Sequence, residues 1–488
     1  MNKHRRIFVI IKILGSLIGI LGAFMLIPLA ISWYKGESDT NAFLFSIGIC
    51  FSIGAMVQII KTRNWRNLYF QNKDGFLTVT LAWLLMVLCG SLPFLFSGSV
   101  TNITDACFES MSGFTTTGST VFSSVESLPH GILLWRALSQ WIGGIGVIVF
   151  FVAALPMMGL AGNALFVAEI TGPIKDKINP RIKSTAKMLC IVYFAITLVE
   201  IIALIIAGMS VFDAICHSFS TVATGGFSTK NASAAAFSPS IQYILMLFMF
   251  LSGINFSLYY FVIKRDFKWV CKNEELKTYI LYVLISGIAV SAALYFFVNN
   301  YATEQSFREG FFQCISLITT TGFVSAEFNY WPNGIRMILL LLLFAGACAG
   351  SSSGGIKVVR ILLMIKNAIL EFKRASHPRA VLPLKMSGMV VKTDTVRRIL
   401  AFFFLYIAVF LFGILGFSIM GYNVETSFGI AASSMGNVGP SFGEICSMCS
   451  VGILSIPAKW LAIFLMLVGR LEVFTVLILL VPSFWKNY

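Results

Sequence analysis

ITDACFESMSGFTTTGST (residues 103–120) decides the fold, because it recurs. VFDAICHSFSTVATGGFST (211–229), FREGFFQCISLITTTGFVS (307–325) and VETSFGIAASSMGNVGPSF (424–442) repeat its pattern. With Gly118, Gly226, Gly322 and Gly439 in register, a serine stands six positions earlier in every copy: Ser112, Ser220, Ser316 and Ser433. Thirteen positions earlier stand Asp105, Asp213, Glu309 and Thr426, which are residue types favoured at a helix start. Between them the residues ten, seven and four positions before the glycine are mostly apolar, such as Phe108, Met111 and Phe114, or Phe312, Ile315 and Ile318. That spacing lays out one face of a helix. Gly225 offers a second register in copy two, but the distances to Ser220 and Asp213 favour Gly226.

None of these segments is long enough to cross a bilayer, which takes about 20 mostly apolar residues. Their surroundings are. Apolar runs occupy about 7–33, 42–61, 75–97, 131–155, 186–209, 240–263, 278–299, 335–365, 396–420 and 456–484. The repeating unit is therefore a span, a short re-entrant helix, a glycine turn and a second span, four times over 75–484. Internal repetition of this kind outweighs any single motif. The expected fold is an all-α polytopic membrane protein, with four pseudo-symmetric helix–pore-loop–helix repeats around a central pore and two extra N-terminal transmembrane helices. The expected layout is 1–74 for those two helices, 75–187 for the first repeat and a cytoplasmic loop, and 188–277 for the second repeat. Residues 278–394 hold the third repeat with a broken helix and a cytoplasmic loop, and 395–488 the fourth.

Composition agrees. Of 488 residues 57% are hydrophobic and 12% charged, against about 25% charged in soluble domains. The mean hydropathy is +0.86. These values exclude a secreted disulfide scaffold, a disordered chain and a nucleic-acid-binding domain, despite a net charge of +15. The loops explain that charge. Of the 36 Lys and Arg, only Lys35, Arg136, Lys230, Arg308, Arg336 and Lys459 fall on one side, with Arg470 inside a span. The remainder sit at 1–6, 62–74, 156–187, 264–277, 366–398, the C-terminal tail and nearby helix ends. By the positive-inside rule both termini are cytoplasmic. The first apolar run is longer than the 7–15 residues of a signal-peptide core, and reads as an uncleaved helix. Cys50, Cys89, Cys190 and Cys348 lie in apolar runs as small hydrophobes. Cys446 and Cys449 form a lone C-x-x-C with no second pair, so they read as unpaired or incidental thiols.

Non-helical backbone at membrane depth is tolerated only where it lines a cavity or is buried in protein. Four such turns in pseudo-symmetry form one pore. Glycine permits the positive φ this backbone requires, and rings of carbonyls replace the hydration shell of a monovalent cation. The C-terminal, negative ends of the short helices add to the attraction. The candidate ion-binding residues are Thr116, Thr117 and Gly118; Thr224, Gly225 and Gly226; Thr320, Thr321 and Gly322; and Asn437, Val438 and Gly439. No Lys or Arg stands among them, which argues against an anion pore. A ring of four carboxylates, the device for divalent ions, is absent too.

These strings resemble the Trk/Ktr/HKT superfamily of potassium transporters, most closely its Trk-type membrane subunit. The resemblance rests on TTTGST, ATGGFST, TTTGF and NVGPSFG, on WRALSQWIGGIGVIV (135–149), EITGPIKDKINPRIKSTAK (169–187), GACAGSSSGGIKVVR (346–360) and GRLEVFT (469–475), and on the two extra N-terminal helices. The fourth filter departs most, with Asn437-Val438 where the first and third carry Thr-Thr. The resemblance implies potassium uptake across a bacterial cytoplasmic membrane, with potassium as the transported ion and no covalent cofactor. It implies a homodimer and a cytosolic regulatory partner forming a nucleotide-binding ring. It also favours K⁺ over Na⁺, since all four filter glycines are present.

Residues 346–355, GACAGSSSGG, interrupt a span with small residues that lower helix propensity by up to about 1 kcal/mol each. Gly346, Gly350, Ser351, Ser352, Ser353, Gly354 and Gly355 are therefore read as a broken helix under the filter that acts as a gate. The string imitates a phosphate-binding loop, but Lys357 does not directly follow the second glycine and no Ser or Thr follows it. Arg470 inside a span costs at least about 2.5–3.5 kcal/mol on insertion scales and is a functional-site hypothesis by default. Facing the pore it raises a barrier to cations; the structural alternative is an ion pair with Glu472. Asp105, Asp213 and Glu309 read as helix caps, His130 and His217 as structural residues near the outer surface, and Glu200 carries no assigned role. Lys175, Lys177, Arg181, Lys183, Lys373, Arg374 and Arg379 either dock a partner or contact anionic lipid. The expected function is a gated potassium pore. The alternative is a K⁺/H⁺ or K⁺/Na⁺ symporter. No Ser/His/Asp set, metal cluster or carboxylate pair in the spans supports an enzyme.

Overall fold

A computed structural model describes residues 3–59, 72–157, 182–298, 301–380, 382–443 and 450–486. It is an all-α polytopic membrane protein, and among the described residues the only strands form a two-residue-per-strand hairpin, Lys385–Met386 with Met389–Val390. Uninterrupted apolar stretches run over Ile7–Lys35, Thr40–Ile59, Lys73–Phe96, Lys187–Ile206, Glu274–Phe297 and Thr393–Ile419. Phe45, Phe194, Ile206, Phe296, Phe404 and Ile419 on these helices stay exposed. An apolar outer surface of this kind is what hydrocarbon solvates.

Inside this shell stand four short helices: Ile103–Phe114, Val211–Val222, Thr303–Ile318 and Val424–Gly436. They coincide with the four repeated segments. In the first the side chains from Thr104 to Phe114 are buried, Asp105 excepted, and in the others the C-terminal halves are mostly buried while first-turn residues such as Val211, Glu304 and Val424 are open. Each unit closes with a second helix, and here the sequence reading needs correction. All four second helices are broken or kinked, not only the third.

In the first unit, His130–Met157 is interrupted at Gly146, at φ 76° and ψ 152°. In the second, the span read at 240–263 is two helices, Pro239–Ser252 and Phe256–Ile263, meeting at 92°. In the third, Asn333–Leu342 stops and Val358–Ser376 begins after a non-helical stretch that contains 346–355. In the fourth, the span read at 456–484 bends by 110° directly after Arg470. There Glu472 and Val473 both adopt positive φ, 54° and 60°. A β-branched residue at such a φ is an outlier held by its surroundings. Hydropathy cannot reveal these bends, because it counts apolar residues and is blind to backbone direction.

Candidate functional site

The short helices begin on caps that the sequence reading placed three residues too late. Asn102, Ser210 and Asn423 are the N-caps, and their side chains accept from the N–H groups of Thr104, Asp213 and Thr426. Asp105 and Asp213 sit in the first turn behind the cap, and Glu309 lies inside its helix, whose N-cap Ala302 offers no side chain. Asp105 pairs with Lys459 at 2.6 Å. Asp213 accepts from Thr229 at 2.6 Å and Ser210 at 2.8 Å. Partial burial pushes its carboxyl up, and those hydrogen bonds together with the neighbouring His217 and Lys230 outweigh the burial and hold it below the ordinary carboxylate value. Glu309 accepts from Tyr301 and Gln305.

All four helices end in the same way. The N–H groups of Thr117, Gly225, Thr321 and Val438 donate to the carbonyls of Ser112, Ser220, Ser316 and Ser433, at 2.9, 2.8, 2.9 and 3.0 Å. One residue earlier, Thr116, Thr224, Thr320 and Asn437 donate to the carbonyls of Gly113, Thr221, Leu317 and Ser434. This pair of bonds is the Schellman end, and it needs a left-handed residue, usually glycine. Here the position holds three threonines and an asparagine, at φ 55°, 53°, 57° and 54°. Strain of that kind is about 1–3 kcal/mol per residue and gathers at functional sites. Nothing in the sequence announced it, since threonine is a poor residue for left-handed backbone.

Two residues on, the glycines close a ring. Gly118, Gly226, Gly322 and Gly439 have φ of 87°, 79°, 82° and 100°. A Cβ on Gly118 would strike the carbonyl oxygen of Gly225; on Gly226, that of Thr321; on Gly322, that of Val438; on Gly439, that of Thr117. Each glycine thus packs on the residue before the glycine of the next segment, and the fourth returns to the first. The register with Gly226 is the one that satisfies this symmetry.

The carbonyls of Thr116, Thr224, Thr320 and Asn437 belong to residues with no exposed surface. Among the described residues none of these four receives a hydrogen bond. Buried carbonyls almost always have a partner, so a ring of four without donors among the described residues is a candidate cation site.

The broken stretch of the third unit lies against the C-terminal ends of the short helices. Ser352 Oγ donates to the carbonyl of Val222 at 2.9 Å, and Gly354 N–H donates to Thr320 Oγ1 at 2.7 Å. A Cβ on Gly354 would strike the Gly436 carbonyl, and one on Gly346 the Gly354 carbonyl. Gly350 and Gly355 have φ of 79° and 64°. The loop is fixed to the second unit's bend as well: Cys348 N–H donates to Gly253 O, and Phe256 N–H to Gly350 O, both at 3.1 Å. Glu275 accepts from Ala349 N–H at 2.5 Å. Buried Lys357 donates to Ser353 Oγ at 3.0 Å and to its carbonyl. Ser351 and Ser353 hydroxyls share a bond of 2.8 Å.

Arg470 ends the helix Ile456–Arg470 and reaches this loop. Its Nη1 donates to Ser352 O at 2.8 Å and its Nη2 to Gly143 O at 2.6 Å. Glu472, the expected alternative partner, pairs with Arg360.

The structure therefore brings together the candidate residues of all four segments and of the 346–355 loop, with Arg470 beside them. Cys446, Cys449, Lys175, Lys177 and Arg181 lie outside the described residues, as does the side chain of Lys183. Lys373 and Arg379 are exposed, whereas Arg374 is engaged by Glu371 and the Leu382 carbonyl. His217 is fully buried, not superficial, and bridges the Asp213 carbonyl and Ser228 Oγ. Sequence reasoning missed Glu109, Arg136 and Gln140. Arg136 was counted as an outside charge; it is 2% exposed and bonded to Glu109 at 2.7 Å. The available signal was a carboxylate, Glu109, in the middle of a short helix placed at membrane depth.

Comparison with known proteins gives a consistent result. The family described as TrkH, cation transport protein, matches residues 40–487. The Trk system potassium uptake protein TrkH of Escherichia coli K12 is 38% identical over 483 residues, covering 98% of this chain and 99% of that protein. The protein of the same name from Halomonas elongata is 37% identical over 482 residues, with the same coverage. The crystal structure of the potassium transporter TrkH from Vibrio parahaemolyticus superposes with a TM-score of 0.88 at 36% identity, over 99% of this chain and all of that one.

Proposed function

This chain belongs to the TrkH family of cation transport proteins, and on that premise we propose that it takes up potassium through a pore whose filter is the four-glycine ring. The observation that carries the proposal is the set of buried, donor-free carbonyls at Thr116, Thr224, Thr320 and Asn437. Thr117, Thr321 and Val438, and likewise Gly118, Gly226 and Gly322, add carbonyls that also receive no hydrogen bond among the described residues. Carbonyls stacked in this way substitute for the water shell of K⁺. The negative ends of four short helices reinforce the site. The loop from Gly346 to Gly355 is the gate, and Arg470 holds it against the filter while placing a positive charge on the ion path.

The family resemblance extends the proposal to a homodimer in a bacterial cytoplasmic membrane, with both termini inside, regulated by a cytosolic nucleotide-binding ring. Exposed Lys373 and Arg379 support a cytosolic docking site, because they lie on or just after the helix Val358–Ser376 that continues from the gate loop.

One observation favours a second reading, K⁺/H⁺ symport. Glu200 lies in a spanning helix with no exposed surface, near the Thr221 side chain, and among the described residues neither carboxylate oxygen has a partner in hydrogen-bonding geometry. An intramembrane acid is a proton-site hypothesis by default. Flux into proteoliposomes holding this chain alone separates the two readings. K⁺ and Rb⁺ entry down their own gradients, indifferent to Na⁺ and to a clamped proton gradient, is expected of the pore. Entry only with a proton gradient, abolished by Glu200→Gln, would replace the pore with symport.

A further inference from the structure

The four segments are not braced equally. In the first three segments the residue nine positions before the glycine bonds to the stretch that leaves its own filter. In the first segment it is Glu109, whose oxygens accept from Thr120 Oγ1 at 3.0 and 3.1 Å and from Val121 N–H at 3.0 Å. In the second it is His217, 2.9 Å from Ser228 Oγ. In the third it is Gln313, which reaches Ser325 Oγ and the Ala326 carbonyl at 3.4 Å. In the fourth it is Ile430, which can make no such bond. The brace weakens from a charged acceptor to an apolar side chain around the ring.

Glu109 has no exposed surface, and a buried carboxylate needs a counterion. Arg136, on the helix that follows the first filter, provides it through Nε at 2.7 Å. The same guanidinium crosses to the second segment. Its Nη1 donates to the Ser228 carbonyl at 3.2 Å. It lies 4.2 Å from the ring centroid of Phe227 and 5.6 Å from that of Phe122, the aromatic side chains just past the first two filters. One turn along, Gln140 donates to the Gly225 carbonyl at 2.7 Å and accepts from Phe227 N–H at 3.0 Å. The Gly225 carbonyl is the one on which Gly118 packs. A single helix face thus grips both sides of Gly226 while its arginine holds Glu109 of the neighbouring segment.

We propose that Glu109 and Arg136 are positioning residues that fix the spacing between the first and second filter segments, and that discrimination of K⁺ from Na⁺ depends on this clamp. Neither residue touches the ion. Their charge-assisted bonds act on the loop segments that carry the carbonyls, and such bonds are shorter and stronger than neutral ones. The inference rests on the potassium-pore reading above.

The test is the K⁺/Na⁺ permeability ratio, from reversal potentials of the reconstituted full chain, measured beside the thermal midpoint of the purified protein. Three variants are compared: Glu109→Gln, Arg136→Lys and the double variant Glu109→Gln/Arg136→Gln. Arg136→Lys keeps the buried charge compensated but loses the fork that reaches both Glu109 and Ser228. The double variant leaves no unpaired charge, a change that buried ion pairs tolerate. Arg336→Gln, at the exposed pair with Glu425, is the control.

The expected result is a fall in the ratio of about tenfold, 1.4 kcal/mol, in Arg136→Lys and in the double variant, with K⁺ flux retained and the control unchanged. A parental ratio in either folded variant overturns the clamp. So does an equal fall in the Arg336→Gln control, which would mark a general response to lost stability. A parent protein with no K⁺ preference of its own would sink the pore reading instead, so the two failures are distinguishable.

Discussion

Serine at Gly322 tests the filter most directly. The backbone there has φ 82°, a region that costs a residue with a Cβ about 1–2 kcal/mol. The new Cβ would strike the Val438 carbonyl oxygen, and would stand 2.8 Å from Pro440 Cδ and 3.0 Å from the Val438 carbonyl carbon. No flexible side-chain end is among these neighbours. A peptide group and a proline ring must move, and both belong to the fourth segment. The displaced Val438 carbonyl is itself one of the proposed ligands.

Gly322→Ser therefore widens or tilts one quadrant of the ring by on the order of an ångström, the distance the Val438 carbonyl oxygen must retreat to reach ordinary contact. A loss of about 1.4 kcal/mol in K⁺ preference is a tenfold fall in the K⁺/Na⁺ ratio, and Gly322→Ser is expected to show at least that. The assay is the bi-ionic reversal potential of reconstituted protein. Gly334→Ser is the matched control, since a Cβ at Gly334 meets nothing within 4 Å. An unchanged reversal potential in Gly322→Ser, with normal K⁺ flux, would refute the assignment of this ring as the filter.

Arg470→Ala is expected to raise K⁺ flux, because it removes a charge and the bonds to Ser352 and Gly143; equal or lower flux at normal protein amount would return Arg470 to a purely structural role. Glu275→Leu removes the acceptor of Ala349 N–H and is expected to raise basal flux in the same assay, without altering the K⁺/Na⁺ ratio. Ala302→Asp gives the third short helix the side-chain cap that the other three possess, and should raise the thermal midpoint by the equivalent of about 0.5–2 kcal/mol. An unchanged midpoint would show that this helix end is satisfied by other means.

The fourfold repeat was legible because its requirements are local. Only glycine accepts the ring position cheaply, and helical periodicity located the short helices within a few residues. The caps were misplaced because Asp105 and Asp213 are also suited to a helix's first turn, where they satisfy the same dipole as Asn102 and Ser210. Left-handed Thr116, Thr224 and Thr320 were illegible, since their strain is imposed by neighbouring segments far away in sequence. The bends at Gly253 and after Arg470 were hidden inside apolar runs. Arg136 was misread because the positive-inside rule counts charges without knowing their partners. Its partner, Glu109, lies one short helix away, and only the fold brings them to 2.7 Å.

The four interrupted second helices meet at the proposed gate, and this determines how the gate can work. The loop of the third unit is tied to the second by Cys348 and Gly350, to the first through Arg470 and Gly143, and to the fourth through Arg470 itself. It is tied to the filter by Ser352 and Gly354. A net intramolecular hydrogen bond contributes about 0.5–1.5 kcal/mol, and one from a charged donor about 1.5–3 kcal/mol. Releasing these bonds together costs several kcal/mol, close to the roughly 5.5 kcal/mol that carries a two-state element from 1:99 to 99:1. On the proposed gate reading, the bonded arrangement of the loop is stable alone yet within reach of a binding partner. The helix Val358–Ser376 is the natural lever, since it begins where the loop ends. Its Lys366 pairs with Glu274, whose neighbour Glu275 holds Ala349. A force applied to that helix reaches the loop twice, along the chain and through the Glu274–Glu275 corner.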